Sequence, residues 1–137
     1  MDFVDTNVLL YAASTVPKER SKAERAREVL ARDDLALSVQ VLQEFYVQAT
    51  RSGKTDRLSH EQAMGLVEAF LRFPVQEITV TVLQAALRAR QRFQISYWDA
   101  AIIESARAAG CGTVLSEDLS DGQAYDGISV RNPFAGL

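Results

Sequence analysis

Short apolar runs alternate with longer amphipathic stretches along this chain, and this alternation predicts a series of strands and helices. Phe3-Val4 leads directly into an apolar stretch opened by Asp5-Thr6-Asn7, which predicts a strand over 2–5 and a helix over about 6–14. Further helices are predicted over about 18–32, 40–51, 60–72, 79–92 and 97–109, and further strands over 35–38, 75–78, 113–115 and 128–130.

Local signals mark where several of these elements begin and end. Pro17 ends the first helix, and Pro74 ends the helix that begins after Ser59. Ser59 with Gln62 three residues later is a capping box, which predicts a helix start. The segment 116–127 has no apolar periodicity and is predicted as a loop.

About five short strands alternating with amphipathic helices predict an α/β fold with a central parallel β-sheet covered on both faces. The 137 residues contain no repeat or linker, so a single domain over 1–137 is expected. In such sheets, ligands bind beyond the carboxyl ends of the strands, near the point where the strand order reverses. Polar residues that directly follow strands are therefore the first candidates for chemistry.

Composition narrows the class of protein. With 47% hydrophobic and 24% charged residues, the chain resembles an ordinary globular domain. Its apolar runs are too short to span a membrane, and its acidic N-terminal residues do not resemble a signal peptide, so a cytoplasmic protein without membrane association is expected. A lone cysteine, Cys111, excludes an internal disulfide, and a lone histidine, His60, excludes the usual zinc sites.

The charge balance argues at first against a nucleic-acid partner. The formal net charge is -3, from 15 basic and 18 acidic residues. A strongly basic domain would be the simplest sign of nucleic-acid binding. Most of the 18 acids must lie on the solvated surface, and those placed elsewhere are candidates for chemistry.

Asp99 is the most informative acid. On a helix it aligns with Ile102, Ile103 and Ala106, the stripe that should face the core. A first-turn carboxylate gains about 0.3–1 kcal/mol from the helix dipole, whereas burial without a partner costs several kcal/mol. Asp99 therefore requires a cationic partner or a wet cleft.

Three other acids occupy suggestive positions. Asp5 ends the first strand, where it also suits a helix N-cap, and Asp118 follows the fourth strand, where it also suits a turn. Both lie at the same edge of a parallel sheet. Glu44 flanks the apolar face of the helix after the second strand, a position equally suited to a surface salt bridge and to a cleft wall.

Converging carboxylates raise one another's pKa values unless a cation neutralises them. No lysine follows a strand end, and the arginines lie mainly along helices. Oxygen ligands without a Cys/His set favour Mg²⁺ or Mn²⁺, ions that typically serve phosphoryl chemistry.

The chain resembles the PIN-domain ribonucleases, and within them the VapC-type toxins of VapBC toxin–antitoxin modules. The segments that carry the resemblance are Phe3–Leu9, Glu44, Ser96–Ile102, Leu115–Leu119, Asp121–Gln123 and Asn132–Phe134. The resemblance covers essentially the whole chain, and the order and approximate spacing of the four acids are more specific than any single motif.

The resemblance implies a three-layer α/β/α sandwich and a Mg²⁺- or Mn²⁺-dependent endoribonuclease. Asp5, Glu44, Asp99 and Asp118 would be the catalytic and metal-binding acids, and Thr6, Asn7 and Ser116 would support them through hydrogen bonds. The expected products carry 5′-phosphate and 3′-hydroxyl ends. Asp121 is an alternative accessory acid, although Asp-Gly is more often a turn.

The resemblance also implies partners. RNA, such as transfer RNA or ribosomal RNA, would be the substrate, and a VapB-type antitoxin would neutralise a toxin that otherwise inhibits translation. A homodimer is expected. Arg88, Arg90 and Arg92, or Arg51, Lys54 and Arg57, are candidate phosphate contacts, although a solvated helix face explains either set better. Tyr11, Tyr97 and Trp98 are candidates for base stacking, with Trp98 better explained as a core residue.

Three alternatives compete with this interpretation. A catalytically silent PIN-like module would bind RNA or a protein without cutting, but all four acids are present. A phosphoacceptor receiver domain needs a lysine beyond the last strand, where this chain has Arg131-Asn132-Pro133. A haloacid-dehalogenase-type phosphatase needs Asp-x-Asp after the first strand, where this chain has Asp5-Thr6-Asn7.

Overall fold

A six-stranded sheet with helices packed against it organises the chain, and the computed structural model describes residues 1–137. The strands are β1 (Asp2–Val4), β2 (Leu35–Ser38), β3 (Val75–Gln76), β4 (Thr113–Leu115), β5 (Ala124–Tyr125) and β6 (Ile128–Arg131). The helices are α1 (Thr6–Ala13), α2 (Arg20–Leu30), α3 (Val39–Ala49), α4 (His60–Phe70), α5 (Val80–Phe93) and α6 (Tyr97–Ala108), with a 3-10 turn at Pro17–Glu19 before α2.

The strand order is β3-β2-β1-β4-β6-β5. Strands β1, β2, β3, β4 and β6 pair in parallel, and β5 pairs antiparallel to β6. The chain steps from β1 to β2 to β3 in one direction and then returns across the sheet to β4. Because parallel crossovers are right-handed, this reversal puts α1–α4 on one face and α5–α6 on the other. The reversal lies between β1 and β4.

The central strands carry the core. Phe3 and Val4 of β1 are fully buried, and so are Leu35, Ala36 and Leu37 of β2. Strands covered by helices on both faces contain nearly continuous apolar residues, as these do. The predicted α/β class with a parallel sheet between two helical layers is confirmed. No helix in the structure combines the length and apolarity needed to cross a membrane.

Most predicted elements lie within a few residues of the observed ones. Ser59 accepts a hydrogen bond from the Gln62 backbone, and the Gln62 side chain accepts one from the Ser59 backbone, so the capping box forms as predicted. The third strand is shorter than predicted, since only Val75 and Gln76 pair with β2.

The prediction of an unbroken loop over 116–127 is wrong. Ala124 and Tyr125 form β5, which turns back onto β6 through Asp126 and Gly127. Both turn residues have positive φ values, 54° and 91°. An Asp-Gly pair with this backbone is the preferred two-residue hairpin turn, so the signal was present in the sequence.

Candidate active site

Asp5 lies where β1 ends and α1 begins. Its side chain caps α1 by accepting a hydrogen bond from the Thr6 backbone N–H at 2.7 Å. Val4 is paired with Leu115 of the neighbouring strand β4, so the residues that follow the two strands lie side by side. Ser116 consequently donates a 2.7 Å hydrogen bond from its hydroxyl to Asp5 Oδ2.

Asn7 and Ser116 join this site to the loop that follows β4. The Asn7 side-chain amide donates to Asp118 Oδ2 at 3.2 Å and to Ser116 Oγ at 3.2 Å. Ser116 Oγ also accepts from the backbone N–H groups of Asp118 and Leu119, at 3.1 and 3.2 Å. Ser116 is completely buried. The Asn7 amide and the Ser116 hydroxyl therefore hold Asp5 and Asp118 close together, although these acids come from opposite ends of the sequence.

Glu44 reaches the same site from α3. Thr6 donates a 2.7 Å hydrogen bond from its hydroxyl to Glu44 Oε2. Gln40, one turn earlier on α3, donates from its amide to Glu44 Oε1 at 2.9 Å and to the Trp98 carbonyl at 3.4 Å. Gln40 is buried and links the two faces of the sheet. Gln40 was not among the predicted site residues, although its position four residues before Glu44 on one helix is a usable signal.

Asp99 lies in the first turn of α6, whose N-cap is Ser96. The helix buries Ile102, Ile103 and Ala106, so Asp99 heads an apolar stripe and is itself half-buried. Burial raises the pKa of its carboxyl, and the charges of Asp118 and Glu44 raise it further. The four acids therefore act on one another across the sheet edge.

The buried carboxyl of Asp5 has the largest shift among these acids. Burial raises its pKa from 3.8 to about 6, opposed by the hydrogen bonds from Ser116 and Thr6 and reinforced by the charges of Asp118 and Glu44. Each of these causes is a direct result of the geometry. A cation beside Asp5 would lower this pKa and favour the ionised carboxylate.

None of the four acids forms an ion pair with a lysine, arginine or histidine of the chain. However, no three His, Cys, Asp or Glu side chains stand close enough to hold one metal ion together. The expected close cage of three or four carboxylates is therefore not preformed. Mg²⁺ retains several waters and is usually bound through one or two carboxylates, so oxygen donors held in pairs, such as Asp5 with Asp118, fit it.

The aromatic residues near the site differ from the expectation in one respect. Trp98 is 64% exposed, so its interpretation as a core residue is wrong. Because Asp99 takes the inward position of α6, the residue before it points outward. Its ring packs edge-on against Tyr97, with centroids 5.1 Å apart.

Two acids near the site have structural partners. Glu117 accepts hydrogen bonds from the Tyr11 hydroxyl at 2.6 Å and from Lys22 Nζ at 2.5 Å. Asp121 accepts from the Asn132 backbone N–H at 2.9 Å, which is a turn contact.

Comparison with known proteins identifies the fold family. The family model described as "PIN domain" matches residues 3–120. This chain belongs to the PIN-domain family. The matched segment contains Asp5, Glu44, Asp99 and Asp118, and the resemblance inferred from their order is confirmed.

Solved structures similar to the PIN chain come from toxin–antitoxin systems. A toxin–antitoxin complex from Klebsiella pneumoniae matches with a TM-score of 0.73 and 19% identity, over 98% of each chain. VapC20 of Mycobacterium tuberculosis, a sarcin–ricin loop cleaving toxin, matches with a TM-score of 0.69 and 18% identity, over 86% of this chain and 90% of its own. VapBC2 from Rickettsia felis, bound to a promoter DNA fragment, matches with a TM-score of 0.66 and 19% identity, over 96% and 97%.

At these identities the structural likeness establishes the shared fold. No curated protein sequence matches the chain at a significant level.

Proposed function

We propose that residues 1–137 form one PIN domain that acts as a metal-dependent endoribonuclease, hydrolysing RNA phosphodiester bonds. The observation that carries the proposal is the gathering of Asp5, Glu44, Asp99 and Asp118 at the sheet edge where the strand order reverses, with no cation of the chain paired to any of them. Asp5 is buried, and Glu44 and Asp99 are half-buried. Burying an acid without a counterion is unfavourable, so a cation from solution is the simplest compensation.

Asp5 and Asp118 would hold the ion, and Asp99 and Glu44 would supply further carboxylate oxygens at the same site. Mg²⁺ or Mn²⁺ bound there supplies an activated water and a positive charge beside the phosphate. The chain's own contribution is positioning, because Thr6, Asn7, Gln40 and Ser116 fix the carboxylates of Asp5, Glu44 and Asp118 by hydrogen bonds. Ser116 and the Thr6 backbone also favour the ionised form of Asp5, which binding a cation requires.

The substrate and its products come from the resemblance. We propose single-stranded or looped segments of transfer RNA or ribosomal RNA, cut to leave 5′-phosphate and 3′-hydroxyl ends. Such cleavage would inhibit translation and would take place in the cytoplasm.

Regulation by a VapB-type antitoxin, and pairing of the chain as a homodimer, complete the proposal. Two exposed apolar surfaces are available to these partners. One is a groove between α3 and α4 where Val47, Met64 and Leu71 are 63%, 43% and 54% exposed. The other is a stripe along α5 formed by Val80, Leu83 and Leu87, which are 69%, 41% and 52% exposed. Exposed apolar patches of this kind mark interaction sites.

The test is RNA cleavage by an Asp99→Asn variant. The loss of one carboxylate should lower the cleavage rate at least about a hundredfold while the chain remains folded, because Asp99 forms no ion pair and its substitution keeps the side-chain shape. Asp33→Asn, which removes an exposed acid on the loop before β2, is the matched control and should cleave normally. Full activity of Asp99→Asn, or of the wild-type chain in excess EDTA, would contradict the proposal.

A further inference from the structure

A cavity opens beside the acidic cluster on the α1–α3 side of the sheet. Its volume is 230 Å³, and it shares Asn7 and Asp118 with the cluster. The opposite wall consists of Gln48 in the last turn of α3, Arg51 just after that helix, and Lys54 in the next loop. The cavity is therefore directly adjacent to the acidic cluster.

Most charges around the cavity are already matched within the protein. On one wall, Lys22 forms an ion pair with Glu117, and the Tyr11 hydroxyl donates a hydrogen bond to the same carboxylate. Lys54 pairs with Asp56 at 2.7 Å, and the Thr15 backbone N–H holds that carboxylate from the other side at 3.0 Å. Lys54 is thus a fixed, partly compensated charge.

Arg51 is the exception. It lines the cavity, it is exposed, and it forms no ion pair. The carboxylates without a cation, Glu19 and Asp118, belong to the wall across from α3, and Glu19 accepts a hydrogen bond from the Ser14 hydroxyl at 2.7 Å. The cavity is therefore cationic on the α3 side and acidic on the side of the cluster.

We propose that this cavity binds the RNA backbone phosphate next to the scissile one, and that Arg51 is the residue that binds it. The inference rests on the proposed nuclease function, because the acidic cluster defines where the scissile phosphate lies. A guanidinium presents two parallel N–H donors to phosphate oxygens, and the Gln48 amide and Lys54 ammonium lie on the same wall. Glu19, which has no cationic partner, repels the phosphate towards that wall.

Arg51→Gln tests this directly, because a side chain without ion pairs can be changed without disturbing the fold. Contacts to the RNA backbone contribute to binding through counterion release. For a single strand, each lost phosphate contact therefore reduces the slope of log K against log salt by about 0.7 in magnitude. We expect that reduction and a KM for RNA raised about tenfold, with kcat retained.

The matched control is Arg90→Gln. Arg90 belongs to the alternative set of candidate phosphate contacts on α5; it is also exposed and without an ion pair, but it lies outside the cavity and on the opposite face of the sheet from α3, so this site predicts no contact for it. It should leave the salt slope and KM at their wild-type values. Arg51→Lys should keep the slope and lose part of the affinity, because a single ammonium replaces the paired donors.

The outcomes separate this inference from the nuclease proposal. RNA binding is measured in an Asp99→Asn background, where cleavage is not required. Wild-type cleavage with an unchanged salt slope and KM in Arg51→Gln overturns the phosphate site alone, as does an equal loss in Arg90→Gln. Binding through Arg51 without any cleavage by the wild-type chain contradicts the nuclease and supports the site. A wild-type chain that neither binds nor cuts RNA overturns both.

Discussion

At the scale of single residues, Asp5 connects the fold to the proposed chemistry. The same carboxylate caps α1, accepts the Ser116 hydroxyl and faces two other acids without a cation. Its N-cap role and its site role are therefore one arrangement rather than alternatives. The sequence alone left both open, because the contact with Ser116 joins residues 111 positions apart.

The raised pKa of Asp5 predicts that the metal-free chain loses stability as pH rises. The folded state holds the proton up to a pH of about 6, whereas the unfolded state releases it near 3.8. Between these values the folded state binds more protons, so the free energy of unfolding falls as pH increases through that window. At about 1.4 kcal/mol per pH unit, the loss from this group is about 3 kcal/mol at neutral pH.

Asp5→Asn should therefore stabilise the chain in EDTA at pH 7 by about 1–3 kcal/mol and remove most of the slope between pH 4 and 6. Urea unfolding at several pH values measures both. Added Mn²⁺ should stabilise the wild-type chain and not the variant. A variant less stable than wild type in EDTA at pH 7 would show that the hydrogen bonds of Asp5 outweigh the cost of its buried charge.

Ser116 provides a second prediction at this scale. Ser116→Ala leaves Asp5 Oδ2 and the backbone N–H groups of Asp118 and Leu119 without their buried partner, and it should cost about 1–3 kcal/mol of unfolding free energy. It should also raise the pKa of Asp5 further, because the Ser116 hydrogen bond lowers that pKa. Ser116→Thr keeps the hydroxyl and should retain both properties. Equal stability of the alanine and threonine variants would contradict this role.

At the scale of elements, the loop after β4 is fastened from two sides. The Asn7 side-chain oxygen accepts a 3.1 Å hydrogen bond from the Glu117 backbone N–H. Tyr11 of α1 and Lys22 of α2 donate hydrogen bonds to the Glu117 carboxylate. The adjacent Asp118 is exposed, so its position depends on this anchoring.

Lys22→Met should consequently destabilise the chain by about 1–2 kcal/mol, since it leaves the partly buried Glu117 carboxylate with the Tyr11 hydroxyl alone. It should also weaken Mn²⁺ binding, measured by electron paramagnetic resonance titration. Arg20→Met on the same helix is the control. Its pair with Glu24 is largely exposed, so it should cost less than about 0.5 kcal/mol and leave Mn²⁺ binding unchanged. Indistinguishable effects of the two variants would rule out the anchoring role.

Local patterns determine most of the elements, and contacts between distant parts of the chain determine the rest. The helix of residues 60–70 was predictable because its cap and its apolar stripe lie within one segment. Strand β5 has only two residues, so Asp126-Gly127 marks the turn, but the strand itself is defined by its pairing with β6. The spacing of Gln40 from Glu44 is a local signal, whereas its contact with the Trp98 carbonyl, 58 positions away, is not.

At the scale of the whole molecule, the net charge of -3 does not argue against an RNA substrate. Setting aside the four clustered acids leaves 14 of the 18 acidic residues against 15 basic ones, a nearly balanced surface. The order of the acids and the α/β pattern were enough to predict the family. Sequence could not show that the carboxylates lie too far apart to form a closed cage, because that depends on side-chain positions across four elements.

RNA cleavage by the wild-type chain as a function of Mn²⁺ concentration tests whether the acidic site is a metal-dependent nuclease centre. Mn²⁺ binding is followed on the same sample by electron paramagnetic resonance. We expect no cleavage in EDTA and a saturable rise in rate that parallels Mn²⁺ occupancy, with both lost in Asp5→Asn. Cleavage that persists in EDTA, or Mn²⁺ binding that is unchanged in Asp5→Asn, would contradict the assignment of this site as a metal-dependent nuclease centre.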